Sequence, residues 1–153
     1  MEKISKHVSY KEGIKSNTAM RLNIDNSTGE YHLGNMNAVA INVFEPLREW
    51  VGGPIKINSF YRSVALNKAI GGSSRSQHCE GRAMDIDDTF RYKTNAEMYE
   101  YIKENLSFDQ MIWEFGTDKN PDWVHVSYVS EEQNRNRCLK ATRVNGKAMY
   151  SII

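Results

Sequence analysis

The chain has 153 residues, 40% hydrophobic and 25% charged, with a formal net charge of +1. That length makes a single domain, 1–153, large enough for a real core, and the composition is close to the soluble average. So small a net charge gives no field for gripping nucleic acid or an acidic membrane. With a mean hydropathy of -0.62, no apolar run reaches the length of a membrane span.

In chain order, residues 1–7 lack the apolar stretch of a secretory signal, so the expectation is cytoplasmic synthesis without a signal peptide. Ser9-Tyr10-Lys11-Glu12 has capping-box spacing and predicts a short helix. Residues 16–34 are polar, carry Gly29 and Gly34, and read as loop. A longer helix is expected from about Asn35, with Ala38, Ile41, Phe44, Leu47 and Val51 at helical spacing. Pro46 should kink or break it, and Gly52-Gly53 should end it. Residues 54–59 alternate like a strand. Ser63 can cap a helix through Ala69, closed by Gly71-Gly72, and 72–75 form a polar loop. Ala83–Asp87 alternates again, with Met84 and Ile86 facing one way and Ala83, Asp85 and Asp87 the other. Thr94-Asn95-Ala96-Glu97 is a second capping box, opening a helix to about Asn105. Residues 109–113 and 123–128 read as strands, and Asn145-Gly146 folds the tail, 139–153, into a hairpin. Helices fall mainly early and strands mainly late, the pattern of an α+β fold.

Two stretches hold the chemistry: Ser76-Gln77-His78-Cys79-Glu80-Gly81-Arg82-Ala83-Met84-Asp85 and Asp122-Trp123-Val124-His125. If Met84 and Ile86 pack into the core, Asp85 stands on the opposite face, where a carboxylate needs solvent, a partner or a metal. Val124 and Val126 likewise leave His125 on the other face with Trp123 and Ser127. Two such strands side by side bring Asp85 and His125 to one surface. His78 would then come from the preceding loop, which Gly81 leaves free to turn. Two imidazoles and a carboxylate suit zinc, and other first-row ions accept the same set. Three protein ligands leave a fourth position for water, which the ion acidifies.

Two carboxylates compete for the role of base. Asp122 lies three residues before His125, and the Asn120-Pro121 turn lets the chain swing there. Glu114 ends the preceding strand, where Trp113 could raise its pKa. Trp113 and Trp123 could line a cleft or fill the core. Cys79 and Cys138 read as free thiols, because Cys79 on an extended segment points away from His78. His7 and His32 are expected away from any metal.

Ser76-x-His78-x-x-Gly81-x-Ala83-x-Asp85 followed by Asp122-x-x-His125 resembles the motif of the M15 family of zinc D,D-peptidases, especially its small phage endolysin and carboxypeptidase-like members. Asn58-Ser59-Phe60-Tyr61-Arg62-Ser63 is similar to that family's S-G-Y-R-S segment, with Phe60 where glycine is commoner. Residues 65–72, 108–114 and 143–147 add support, and the likeness covers most of residues 35–150.

The resemblance implies an α+β fold with a central antiparallel sheet flanked by helices, akin to the Hedgehog signalling domain. It implies Zn2+ held by His78, Asp85 and His125, and the catalytic carboxylate at Asp122, which ranks Asp122 above Glu114. Arg62 matches an arginine that steadies charge on the substrate or transition state, as a guanidinium can by clamping a carboxylate; the plainer reading of Arg62 is a surface ion pair. Ser76 and Gln77 are expected beside the substrate, and Phe60 could alter the cleft floor. The implied activity is hydrolysis of peptide bonds in peptidoglycan stem peptides, as a D-Ala-D-Ala carboxypeptidase or an L-alanyl-D-glutamate-type endopeptidase. The enzyme is expected as a monomer with no nucleic-acid or membrane partner, reaching the cell wall with a holin's help if it is a phage lysin. The rival is a non-catalytic zinc-stabilised phage structural or binding module, which would not need a base such as Asp122. A metal nuclease is a third reading, and the lack of a basic stripe counts against it.

Overall fold

Caps and turns start most of the elements. In the computed structural model, which describes residues 2–153, a two-strand ribbon, β1 (Lys3–Ser5) and β2 (Val8–Ser9), leads into α1 (Tyr10–Ile14). Ser9 caps α1 as its spacing predicts, its Oγ accepting from the Glu12 N–H at 3.0 Å. The loop expected over 16–34 is corrected: it holds α2 (Asn17–Leu22) and the first turn of α3 (Glu30–Val39). Ser16 caps α2 and Asn23 closes it in the left-handed region at φ 55. Met20 and Leu22 are exposed, so no apolar stripe marks this short helix in the sequence. Gly34 sits inside α3, where tertiary packing overrides its poor helix propensity.

α3 continues through a wide π turn (Ala40–Phe44) into α4 (Glu45–Val51), which ends at Gly52 with φ 80. The extra residue in that turn shifts the buried stripe. Met36, Val39, Ala40, Val43, Phe44, Leu47 and Val51 are buried, while Ile41, expected inward, is 52% exposed. The disturbance expected at Pro46 takes this form, since proline has no N–H to give the turn before it.

The remaining elements are β3 (Lys56–Ser59), α5 (Val64–Ala69), β4 (Ala83–Asp87), α6 (Asn95–Asn105), β5 (Gln110–Glu114), β6 (Trp123–Ser127), β7 (Arg137–Val144) and β8 (Lys147–Ile152). Ser63 caps α5, and Thr94 with Glu97 forms the reciprocal capping box of α6. Asn145 and Gly146 both take positive φ, as a two-residue hairpin turn requires.

Six strands form one sheet in the order β3-β4-β6-β5-β7-β8. The expected wholly antiparallel sheet is corrected to a mixed one, because β5 and β7 run parallel. The chain after β6 returns past the start of β5, where the Asn136 N–H bonds the Phe108 carbonyl at 2.8 Å and the Arg137 N–H bonds the Asp109 carbonyl at 3.0 Å. β7 therefore enters in the direction of β5.

The main core packs the helices against one face of the sheet, which contributes Met84, Ile86, Met111, Trp113, Val124 and Val126. The alternation that sends these side chains inward sends Asp85, Ile112, Glu114, Trp123 and His125 to the other face. A smaller apolar cluster of Ile112, Leu139 and Ala141, with Phe115 against it, is separate from the main core.

Candidate metal centre

His78 lies in a single 3₁₀ turn, Gln77–Glu80, just before β4. Ser76 caps that turn, its Oγ accepting from the His78 N–H at 3.2 Å. Gly81 ends it at φ 78, and a Cβ there would lie 2.7 Å from the His32 carbonyl oxygen and 2.9 Å from Met36 Cγ. Both backbone and space therefore demand glycine. Gly81→Ala is expected to cost about 1–3 kcal/mol from backbone strain alone, lowering Tm by about 3–10 °C. A melting curve superimposable on wild type would contradict this account of the turn.

The His78 Nδ1–H donates to the Phe60 carbonyl at 2.6 Å. A carbonyl can only accept, so this bond sets the tautomer and leaves the lone pair on Nε2. That Nε2 is buried without a hydrogen-bond partner and stands 3.3 Å from Asp85 Oδ1. Asp85 and His125 are direct partners across β4 and β6, and His125 Nδ1 lies 3.1 Å from the same oxygen. One donor atom from each of the three residues falls within 4.8 Å of the others.

An orphaned, buried imidazole lone pair turned toward a carboxylate oxygen is an arrangement that a cation between them relieves. Two neutral nitrogens and a hard oxygen suit a zinc-like ion. Burial pushes the Asp85 carboxyl up, but His78 and His125 beside it outweigh that and hold it below the ordinary carboxylate range. Asp85 is therefore an anionic donor at neutral pH. Among the described residues, His78, Asp85 and His125 are the group so placed.

Glu114 stands on the same sheet face, paired with Trp123 one step along from His125. It is 7% exposed. Burial pushes its carboxyl up to about 7, while His125 pulls it down, Asp85 pushes it up and Arg143 pulls it down. Asp122 sits at the mouth of β6, as its turn signal implies, with an exposed side chain. Its N–H donates to the Glu114 carbonyl at 2.9 Å and its own carbonyl accepts from Asn95 Nδ2 at 3.2 Å. Asp122 lies in a bend just before β6, so strand alternation does not set the face its side chain takes.

The Arg62 N–H donates to the His78 carbonyl at 3.2 Å, which ties it to the His78 turn. Its guanidinium reaches Ser76 Oγ at 3.4 Å, and its Nε is buried with no partner. Gln77 is engaged elsewhere: its Nε2 donates to Asp109, which Arg135 clamps with two bonds of 3.0 and 2.8 Å. The Phe60 ring is buried in the core rather than on a cleft floor, and its carbonyl is the part that reaches the site. Both cysteines are free, with Cys79 outside the ligand group. His7 pairs with Glu45, and His32 packs on Tyr61. The Trp113 ring lies in the core with its Nε1–H on the Thr117 carbonyl, whereas Trp123 packs edge-on against Phe115. A large cavity of about 1180 Å³ lies beside β3 and the N-terminal helices, lined by residues such as Ile14, Met20, Phe44 and Ile57, and includes none of His78, Asp85 and His125.

An α+β fold with two histidines and an aspartate converging beside a buried glutamate defines a candidate metalloenzyme. The profile of the family described as Peptidase M15 matches residues 6–127, a span that contains His78, Asp85 and His125. The chain belongs to the M15 peptidase family, whose members are metallo-enzymes. Among curated proteins no sequence matches it. No helix among the described residues is long and apolar enough to cross a membrane.

Proposed function

We propose that this chain is a zinc metallopeptidase, on a Hedgehog-like fold, that hydrolyses peptide bonds in bacterial peptidoglycan stem peptides. The reading covers a D-Ala-D-Ala carboxypeptidase and an L-alanyl-D-glutamate-type endopeptidase. It is supported above all by the orphaned His78 Nε2 facing Asp85, with His125 on the same oxygen.

When bound, a divalent cation supplies Lewis acidity toward the scissile carbonyl and activates water near neutral pH. The Phe60 carbonyl keeps His78 in the tautomer whose Nε2 can donate its lone pair. Asp85 contributes the anionic oxygen. Glu114 is assigned the proton transfer, taking a proton from the attacking water and returning it to the leaving amine. Its support is its place on the sheet face of Asp85 and His125, paired with Trp123 beside His125. Arg62, with an unpartnered Nε beside the ligand turn, is assigned a carboxylate of the substrate or the negative charge that develops on the attacked carbonyl. Ser76 steadies the Arg62 guanidinium, and Gln77 fastens the ligand turn to Asp109.

Digestion of purified sacculi followed by mass spectrometry tests this reading. The expected products carry new peptide termini whose masses name the severed bond, disappear with a chelator and return with added zinc. Protein that holds zinc yet releases nothing from the sacculi of several bacteria would favour the non-catalytic module.

A further inference from the structure

The hairpin of β7 and β8 lies beyond residue 127, where the family match ends, yet it borders the ligand face. Across the sheet, Asp85, His125, Ile112, Leu139 and Ile152 form one register row. Trp123, Glu114, Ala141 and Tyr150 form the next. Side chains in these rows share a face, and Arg143, two residues past Ala141, joins them. The Arg143 guanidinium carbon lies 4.1 Å from the centre of the Phe115 ring, a cation–π contact. Phe115 is itself fixed: its φ is 55, its N–H bonds the Ala141 carbonyl at 3.0 Å, and its ring lies 5.6 Å from that of Trp123.

Arg143 is exposed, and among the described residues no carboxylate forms an ion pair with it. Its charge nonetheless acts on Glu114, and the charges of Glu114 and Asp85 act on the Tyr150 hydroxyl. A guanidinium stacked on an aromatic ring is held in one plane, with the edge of its fork free for a bidentate acceptor. Arg62 is tied to the His78 turn on the other flank of the ligands, so the two cations bracket the site from different elements.

We propose that Arg143, held on Phe115, binds a carboxylate of the substrate peptide on the Glu114 side of the scissile bond, and that Tyr150 walls the same subsite. The β7–β8 hairpin thereby selects acidic peptides. This inference rests on the peptidase reading above.

The test compares two synthetic stem peptides, one with free side carboxylates and one amidated, on zinc-loaded wild type and Arg143→Gln. For the acidic peptide, Arg143→Gln should raise KM by about 10-fold to 100-fold, with kcat changed less than about twofold, as loss of uniform binding requires. The amidated peptide should be cut equally by both proteins, and Arg143→Lys should recover only part of the loss because a lysine lacks the fork. Equal KM values for the acidic peptide would overturn the proposal. If wild type cleaves neither peptide, the peptidase reading fails, and calorimetric binding still decides the subsite. Acidic peptide bound by wild type and at least tenfold more weakly by Arg143→Gln would support it, and equal binding or none would overturn it.

Discussion

His125→Ala protein, dialysed against zinc, retains no stoichiometric metal and releases no peptide from sacculi. Asp85 and His125 face each other across two hydrogen-bonded strands, so truncating one leaves the sheet intact while removing a donor. Loss of an outer-shell partner alone costs about 10–100-fold in metal affinity, and loss of one of three ligands costs more. Because a metal bound only by the folded state stabilises it by mass action, a chelator should lower the Tm of wild type and leave that of the variant unmoved. Asp85→Asn should behave the same way, since it removes the anionic donor that both imidazoles face. One zinc per chain in His125→Ala, with a wild-type response to chelator, would remove the site from the account.

Glu114→Gln keeps its metal and loses about 10²–10⁴-fold in kcat, the contribution of a positioned acid–base group. Asp122→Ala, by contrast, stays within several-fold of wild type. The reverse pattern would assign the proton to Asp122, as the family resemblance implies.

The same substitution carries a stability signature of defined sign. In the folded, metal-free protein the Glu114 carboxyl is raised from an ordinary value of 4.5 to about 7. The stability supplied by its neutral form is full below about 4.5 and is lost as pH rises through about 7. Gln cannot ionise, so it escapes that loss. Metal-free Glu114→Gln should exceed wild type by about 1 kcal/mol near pH 5 and by about 3 kcal/mol near pH 8, the two converging below about pH 4. Denaturant unfolding at the two pH values reads the difference directly, and a variant weaker than wild type at pH 8 would contradict the burial argument. The wild-type residue thus lowers the stability of the metal-free fold at a position where the proposed chemistry uses it.

The meeting of Asp85 and His125 on one face was legible because its signal is local and periodic. Met84 with Ile86, and Val124 with Val126, each mark an inward face within a single strand, which places Asp85 and His125 outward before any pairing is known. The pairing then followed from adjacency in the sheet. Ser9, Ser63 and Thr94 were legible for the same reason, since a cap is decided within four residues. Features that depend on distant chain were not. Nothing near residue 137 indicates that β7 will run parallel to β5, and without that step Arg143 and Tyr150 cannot be placed beside Glu114. The π turn shifted the stripe of α3 and α4 by one position, a change that α-helical spacing does not contain. Phe60 departs from glycine two residues before Arg62, yet its ring turns into the core and its carbonyl orients His78.

The most direct measurement is anomalous diffraction from crystals of the zinc-loaded protein, recorded on both sides of the zinc absorption edge. The account predicts one strong peak about 2.0–2.2 Å from His78 Nε2, an Asp85 oxygen and His125 Nδ1, with no fourth side chain bound. A zinc-loaded crystal with no peak among these atoms, or with a fourth protein ligand closing the ion off, would contradict it.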